Sequence, residues 1–124
     1  MKKFIRSLLI DKNESLKRAM HQLETAGKKI LFVKSDRRTL FGSLTDGDIR
    51  RWILSEGSLQ DPVGKVCNSA PFFVRRNFDL IRLKKDFQEK GFGCVPVVNE
   101  RKEIVDLLFW EDIFQEDAEK QTAR

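Results

Sequence analysis

The residues with the clearest chemical potential stand together in the segment GSLTDGDI, residues 42–49. The pattern predicts the end of a strand and, directly after it, the first turn of a helix. A helix N-terminus presents free backbone N–H groups and the positive end of the helix dipole, so it attracts phosphate. Thr45 at this junction can donate its hydroxyl to a phosphate oxygen. Asp48, one turn further, can accept hydrogen bonds from two vicinal hydroxyls, as carboxylates commonly do for ribose.

Neighbouring residues fit the same chemistry. Gly42 and Gly47 allow a backbone to approach a ligand closely, and Arg50 and Arg51 add positive charge. A plainer interpretation stays open, because a threonine followed by an acidic residue is also an ordinary helix cap. On that interpretation the two arginines are solvated surface residues.

The segment belongs to one copy of an internal repeat. Residues 9–51 align with residues 73–115 at an offset of 64, and no gap is needed. A repeat of this kind sets the architecture, and a ligand cleft between two similar halves is a natural outcome. The identical pairs are Asn13/Asn77, Leu16/Leu80, Arg18/Arg82, Gly27/Gly91, Val33/Val97, Arg37/Arg101, Leu44/Leu108, Asp48/Asp112 and Ile49/Ile113.

Each copy predicts the element order β-α-β-β-α. In the first copy a helix capped by Asn13 ends at Gly27, strands follow at 29–33 and 39–44, and Thr45 or Asp46 caps a further helix. In the second copy PFFV (71–74) precedes a helix over 77–90, strands over 94–98 and 103–109, and a helix from Glu111. The predicted core comprises Leu16, Leu23, Leu31, Val33, Leu44, Leu80, Phe87, Val95, Val97 and Leu108.

Length and composition limit the class of protein. The 124 residues suffice for one compact domain, and 40% hydrophobic with 35% charged residues is typical of a soluble globular chain. No apolar run could span a bilayer, and Arg6, Asp11 and Glu14 argue against a signal peptide. Cys67 and Cys94 form neither a metal pattern nor a disulfide framework, which favours a reducing cytoplasm.

The sequence lacks the residue patterns that catalysis, metal binding or nucleic-acid binding would require. The net charge of +5 and the pI of about 9.4 favour anionic ligands without requiring nucleic acid, because acids are interleaved with the basic residues. His21 stands in a predicted helix with no acid or nucleophile beside it, and no catalytic triad, metal cluster or Walker loop occurs. We therefore expect no catalytic residue, no metal, no membrane and no nucleic-acid partner.

Tandem β-α-β-β-α units with G-x-x-T-x-x-D-I at the second strand-to-helix junction resemble a CBS domain pair, also called a Bateman module. The segment CVPVVNERKEIVDLLFWEDIF of the second copy is similarly typical. The resemblance covers residues 5–116 and implies an α/β (α+β) fold, with the two repeats packed about a pseudo-twofold axis and their sheets face to face. It also implies a regulatory module that senses AMP, ADP, ATP or a related phosphorylated ligand and requires no cofactor.

The resemblance further places the base of the ligand against the other repeat. The corresponding residues are Ala70, Phe72, Phe92 and Gly93, with Pro96 behind them. Together with the motif residues they form the expected ligand site.

The second repeat departs from the motif. Asp106 stands where the first repeat has Gly42, Phe109 where it has Thr45, and Glu111 where it has Gly47, so only Asp112 survives of the polar pattern. Phe109 offers no phosphate donor, and the two acids would repel a phosphate. We therefore expect one competent site at Thr45 and Asp48 and one degenerate site at Asp112.

Within the family, LTDGDIRR looks most like the pairs attached to sugar-phosphate enzymes. These are nucleotidyltransferases with an N-terminal pair and arabinose-phosphate isomerases with a C-terminal pair. Met1 and the polar end at Arg124 favour the nucleotidyltransferase arrangement, with the isomerase as the alternative. The expected boundaries are 5–57 and 71–116 for the repeats, 58–70 for a linker and 117–124 for a polar tail leading to an attached catalytic domain.

A structural role is the main alternative to ligand sensing. The helices at 46–54 and 111–116 carry Trp52, Ile53, Trp110, Ile113 and Phe114, which could join two chains into a homodimer. In that case the cleft is vestigial. A third hypothesis, nucleic-acid binding, lacks a basic helix or an aromatic platform.

Overall fold

The structure, a computed structural model, describes residues 3–114, with side chains from residue 5 onward. The first half contains α1 (Lys3–Arg6), β1 (Leu9–Asp11), α2 (Leu16–Ala26), β2 (Ile30–Lys34), a 3-10 turn (Asp36–Arg38), β3 (Leu40–Thr45) and α3 (Asp46–Leu54). The second contains α4 (Val63–Val66), β4 (Val74–Arg75), α5 (Leu80–Lys90), β5 (Cys94–Val98) and β6 (Ile104–Phe109). A further helix, α6, covers 110–114. The predicted polar tail at 117–124 lies outside the described residues.

The predicted repeat is confirmed element by element. The helices α2 and α5 and the strand pairs β2/β5 and β3/β6 are displaced by the same 64 residues as the sequences. Each half forms a three-stranded sheet, in which the first strand is parallel and the third antiparallel to the central one. Even the irregularities correspond, because the register shifts at Val33/Lys34 and again at Val97/Val98.

The ends of the two long helices follow from local chemistry. Gly27 and Gly91 end α2 and α5 in the left-handed conformation, with φ of 68° and 69°, as the sequence predicted. The predicted N-cap Asn13 was wrong, and so was the start of α5 at residue 77. The caps are Ser15, whose side chain accepts from the Arg18 N–H, and Asp79. Both positions suit a cap because a short polar side chain there reaches backbone N–H groups of the first turn.

The core agrees with the prediction at most positions. Leu16, Leu23, Leu31, Val33, Leu44, Phe87, Val95 and Val97 are buried. Leu80 was predicted wrongly, since 40% of it is exposed, and Leu108 is only half-buried while its neighbour Leu107 faces the core.

The burial of Leu16 explains the exposure of Leu80. The Leu16 N–H donates to the Asp61 carbonyl at 3.0 Å, and Val63 at the start of α4 is fully buried. The segment that follows α3 therefore covers the N-terminus of α2. Within residues 3–114, no backbone hydrogen bond attaches a comparable segment to Leu80.

One of the two hydrophobic clusters spans both repeats, while the other lies within the second repeat around Phe87 and Val95. A hydrophobic cluster runs from Leu31, Val33 and Leu44 of the first sheet to Val98 and Phe109 of the second. Thr39 forms a β-bridge with Glu103, which is its own equivalent 64 residues later. A contact between equivalent residues is expected on a pseudo-twofold axis, and the architecture is the tandem β-α-β-β-α fold that the sequence predicted.

Two residues of the predicted dimer surface are engaged within the chain. The Trp52 indole N–H donates to Asp61 Oδ2 at 2.8 Å, and its ring packs against Gly57. Ile113 is buried, with 7% exposed. Ile53 and Trp110 remain partly exposed on α3 and α6. Among the described residues, no helix is both long and apolar enough to cross a bilayer.

Candidate functional site

Thr45 and Asp48 form a reciprocal capping box at the start of α3. The Asp48 N–H donates to Thr45 Oγ1 at 3.2 Å, and the Thr45 N–H donates to Asp48 Oδ2 at 3.0 Å. Two backbone donors of the helix terminus are thereby satisfied. The Thr45 hydroxyl acts here as an acceptor, so its proton stays available to a ligand.

One ion pair lies at the start of α3, between Asp48 and Arg51. Asp48 Oδ1 lies 2.6 Å from Nη2 of Arg51, whose side chain is 71% exposed, whereas the carboxylate is 19% exposed. Arg50 is exposed to solvent. A Cβ at Gly47 would contact only the Arg51 guanidinium, at 3.2 Å. A larger residue than glycine could therefore be accommodated at this position by a movement of the Arg51 side chain.

Gly42 permits a close approach of the chain to itself. A Cβ at this position would lie 2.6 Å from the Asn68 carbonyl oxygen and 2.7 Å from Cys67 Sγ. Ser43, its neighbour on β3, exchanges two backbone hydrogen bonds with Asn68. The absence of a side chain at Gly42 therefore allows the segment before β4 to pack against the first sheet.

A cleft of about 590 Å³ lies between the two repeats. Its size is that of a small-molecule site. The turn after α2 and the equivalent turn after α5 both line it, one from each repeat, together with the end of β3 and the start of α6. The lining residues are Gly27, Lys28, Lys29, Ile30, Ser43, Thr45, Gly91, Phe92, Gly93, Cys94 and Glu111.

The two turns give the cleft walls of different chemistry. Lys28 and Lys29 stand in the first turn, and their equivalents in the second turn are Phe92 and Gly93. The Phe92 ring is held by a stacked contact with Phe72, with 4.8 Å between ring centroids and 26° between planes. One wall is therefore cationic and the other aromatic.

Lys28 connects the two repeats across the cleft. Its Nζ lies 3.5 Å from Glu111 Oε1, and both side chains are substantially exposed, at 42% and 61%. The same ammonium stands 4.9 Å from the centroid of the Phe109 ring, within the range of a cation–π contact. Phe109 occupies the position equivalent to Thr45.

The thiol of Cys94 lies at the buried side of the cleft. Burial raises the pKa of this thiol to about 12, the nearby Lys28 opposes the shift, and Glu111 adds to it. Cys94 is therefore protonated at neutral pH and behaves as a small apolar residue.

Three predicted site residues come together at this cleft. Thr45, Phe92 and Gly93 line it, from both repeats as expected. Phe72 lies behind Phe92, and Ala70 is exposed, its N–H bonded to Asn68 Oδ1. The predicted residues that are not among the lining residues are Gly42, Gly47, Asp48, Arg50, Arg51, Ala70, Phe72 and Asp112.

Sequence reasoning missed the cationic wall. The missed lining residues are Gly27, Lys28, Lys29, Ile30, Ser43, Gly91, Cys94 and Glu111. The repeat itself held the signal for two of them, because shifting Phe92 and Gly93 back by 64 residues gives Lys28 and Lys29.

Residues 63–119 match the family model of the CBS domain. The match covers the second repeat and α4 before it, and the structure as a whole has the fold of CBS-pair proteins. It superposes on the crystal structure of CBSX2 in complex with AMP with a TM-score of 0.78 and 21% identity, over 91% of this chain and 88% of that one. For CBSX2 from Arabidopsis thaliana the TM-score is 0.77, with 19% identity over 94% and 90% of the two chains.

Among curated proteins, arabinose 5-phosphate isomerase GutQ from Escherichia coli O6:H1 is 28% identical over 97 residues. GutQ from Salmonella typhi is 26% identical over the same length. The match covers 78% of this chain but only 30% of each isomerase. These relatives are isomerases, so the predicted attachment to a nucleotidyltransferase is not supported and the isomerase alternative fits the comparison.

Proposed function

We propose that this chain is a regulatory module that binds an adenosine nucleotide, or a related phosphorylated ligand, in the cleft between its repeats. The observation that carries the proposal is that each repeat contributes a turn of different chemistry to the lining of the cleft. Lys28 and Lys29 are suited to a phosphate, and Phe92, stacked on Phe72, offers an aromatic face to a base. The likeness to CBSX2, whose structure contains AMP, supports the same ligand class.

Thr45 is the proposed hydrogen-bond donor to the ligand. It lines the cleft at the N-terminus of a nine-residue helix, where the helix dipole favours an anion. Asp48 holds Thr45 in place through the capping box and is the proposed partner of the ribose hydroxyls. For that contact its carboxylate must exchange Arg51 for the ligand.

Titration calorimetry with AMP, ADP and ATP tests this function directly. We expect binding of at least one nucleotide, together with NMR shift changes at the amides of Thr45, Lys28 and Phe92. Absence of both heat and shift changes at millimolar concentration of all three would overturn the proposal. Binding with shift changes confined to other surfaces would overturn the assigned site.

We also propose that the enzyme under its control is a sugar-phosphate isomerase, because the curated relatives are arabinose 5-phosphate isomerases. A ligand can regulate such an enzyme only by binding its two states with different affinity. The test is the isomerase rate of the enzyme joined to this module, with and without nucleotide. A rate unaffected by a bound nucleotide would contradict the proposed regulation.

The proposed location is the cytoplasm, where the two free thiols stay reduced.

Assembly is a second candidate function. Ile53 and Leu54 on α3 are 40% and 77% exposed, and on α6 the rings of Trp110 and Phe114 contact each other with centroids 4.1 Å apart. Burying a large apolar side chain contributes roughly 1.5–3 kcal/mol, so this surface could support a homodimer. Sedimentation of the wild-type chain and of Leu54→Asp tests it. We expect a dimer that the substitution weakens, and a monomeric wild type at high concentration would contradict it.

A further inference from the structure

We propose that Lys28 selects for an anionic ligand, and that Glu111 serves as its counterion until the ligand phosphate takes its place. This inference rests on the proposed nucleotide function and adds a residue that the motif does not contain. It follows from the position of Lys28 in the cleft and from its two contacts with the second repeat.

Lys28 supplies the charge that the second repeat lacks. Phe109 stands where the first repeat has the donor Thr45, and the Lys28 ammonium lies 4.9 Å from the centre of the Phe109 ring. The cation therefore comes from the first repeat and stands in front of the half of the cleft that has lost its own phosphate donor. Of the two acids in that half, Glu111 pairs with Lys28, and Asp106 accepts from the Leu107 N–H.

The ion pair between Lys28 and Glu111 is suited to exchange. An exposed pair with 3.5 Å between charged atoms contributes little to stability, so it can be broken at low cost. A phosphate carries more charge than a carboxylate and forms stronger charge-assisted hydrogen bonds. Lys28 and Glu111 belong to different repeats. When a ligand phosphate takes the place of the Glu111 carboxylate at Lys28, one contact between the repeats is therefore lost.

The experiment is calorimetry at fixed ionic strength with AMP, adenosine and inorganic pyrophosphate. The variants are Lys28→Gln and Glu111→Gln, with Lys17→Gln as a control that removes the same charge from the exposed face of α2, away from the cleft residues. We expect Lys28→Gln to weaken AMP binding about tenfold or more and to leave adenosine binding unchanged. Glu111→Gln is expected to strengthen AMP binding, and to have no such effect once Lys28 is glutamine.

The outcomes separate this inference from the function on which it rests. If AMP binds and Lys28→Gln behaves like Lys17→Gln, the role of Lys28 is overturned while nucleotide binding stands. If pyrophosphate binding depends on Lys28 but neither AMP nor adenosine binds, the anion site stands and the nucleotide function falls. If the wild type binds none of the three, both are overturned. Urea unfolding of each variant confirms that the compared proteins are folded.

Discussion

The two repeats place the same strands and helices at the same positions, yet they differ at the junction after the third strand. In the first repeat Thr45 and Asp48 close a capping box, whereas Phe109 and Asp112 occupy these positions in the second. The buried residues Val33 and Val97 are identical. The difference shows that the fold requires the apolar faces of the sheets, while the polar residues at the cleft can diverge without loss of architecture.

A second difference concerns what covers each long helix. The segment after α3 lies over the N-terminus of α2 and buries Leu16, while Leu80 at the equivalent position of α5 is 40% exposed. Equivalent positions in the two repeats can therefore contribute very differently to the free energy of unfolding. Matched substitutions in the two repeats measure these differences.

Leu16→Ala should destabilise the chain far more than Leu80→Ala. Leu16 has no exposed surface, so its truncation leaves a cavity and costs about 2–5 kcal/mol. Leu80 is half-solvated already, and its truncation should cost about 1 kcal/mol or less. Urea unfolding of both variants measures the difference. Equal losses would mean that the two helix termini are covered to the same extent and that this comparison fails.

The two glycines of the motif should respond in opposite ways to alanine. Gly42→Ala pushes a methyl group into the Asn68 carbonyl and the Cys67 sulfur, and should cost about 1–3 kcal/mol. Gly47→Ala meets only the mobile end of Arg51, and an alanine in the first turn of a helix should be neutral or stabilising. The check is the urea midpoint of each variant beside Asp106→Ala, the second-repeat equivalent of the Gly42 change. A stable Gly42→Ala would contradict the close approach.

The sequence alone predicts the architecture well because the repeat constrains each half independently. An apolar strand in one copy is supported by its counterpart in the other, and Gly27 and Gly91 end equivalent helices. The N-caps were mispredicted because Asn13 and Ser15 are both good capping residues and only the course of the chain selects between them. Propensity also cannot tell that Leu80 lacks the cover that Leu16 has.

The site was predictable only in part. Thr45 belongs to a local motif and could be found by its spacing. Lys28 and Glu111 are in contact only because the two repeats pack against each other, so no local sequence pattern in either copy predicts that contact. Asp48 remains the predicted partner of the ribose, and the structure adds that its carboxylate contacts the Thr45 N–H and Arg51.

The free energy of unfolding should also depend on pH through Asp61, which lies in the segment that covers α2, and this effect should be smaller. Hydrogen bonds from the Ser58 N–H and the Trp52 indole lower the pKa of Asp61 below its usual value of 3.8. A carboxyl group whose folded pKa is depressed stabilises the fold above the unfolded pKa, and this contribution is lost as the pH falls through the folded pKa. Trp52→Phe should therefore flatten the loss of stability below about pH 4. An unchanged slope in urea unfolding between pH 5 and 2.5 would contradict this contact.

The most direct test of the unequal repeats is AMP calorimetry on Asp48→Ala and Asp112→Ala. Asp48 works beside Thr45 at the helix terminus that faces the cleft, whereas Asp112 is exposed beside Phe109 and Glu111. Loss of a charged hydrogen-bond partner costs on the order of 1.5–3 kcal/mol, so Asp48→Ala should weaken AMP binding roughly ten- to a hundred-fold. Asp112→Ala should leave AMP binding nearly unchanged, with both proteins folded at the temperature of the titration. Equal losses, or a larger loss from Asp112→Ala, would contradict the assignment of the competent half to the first repeat.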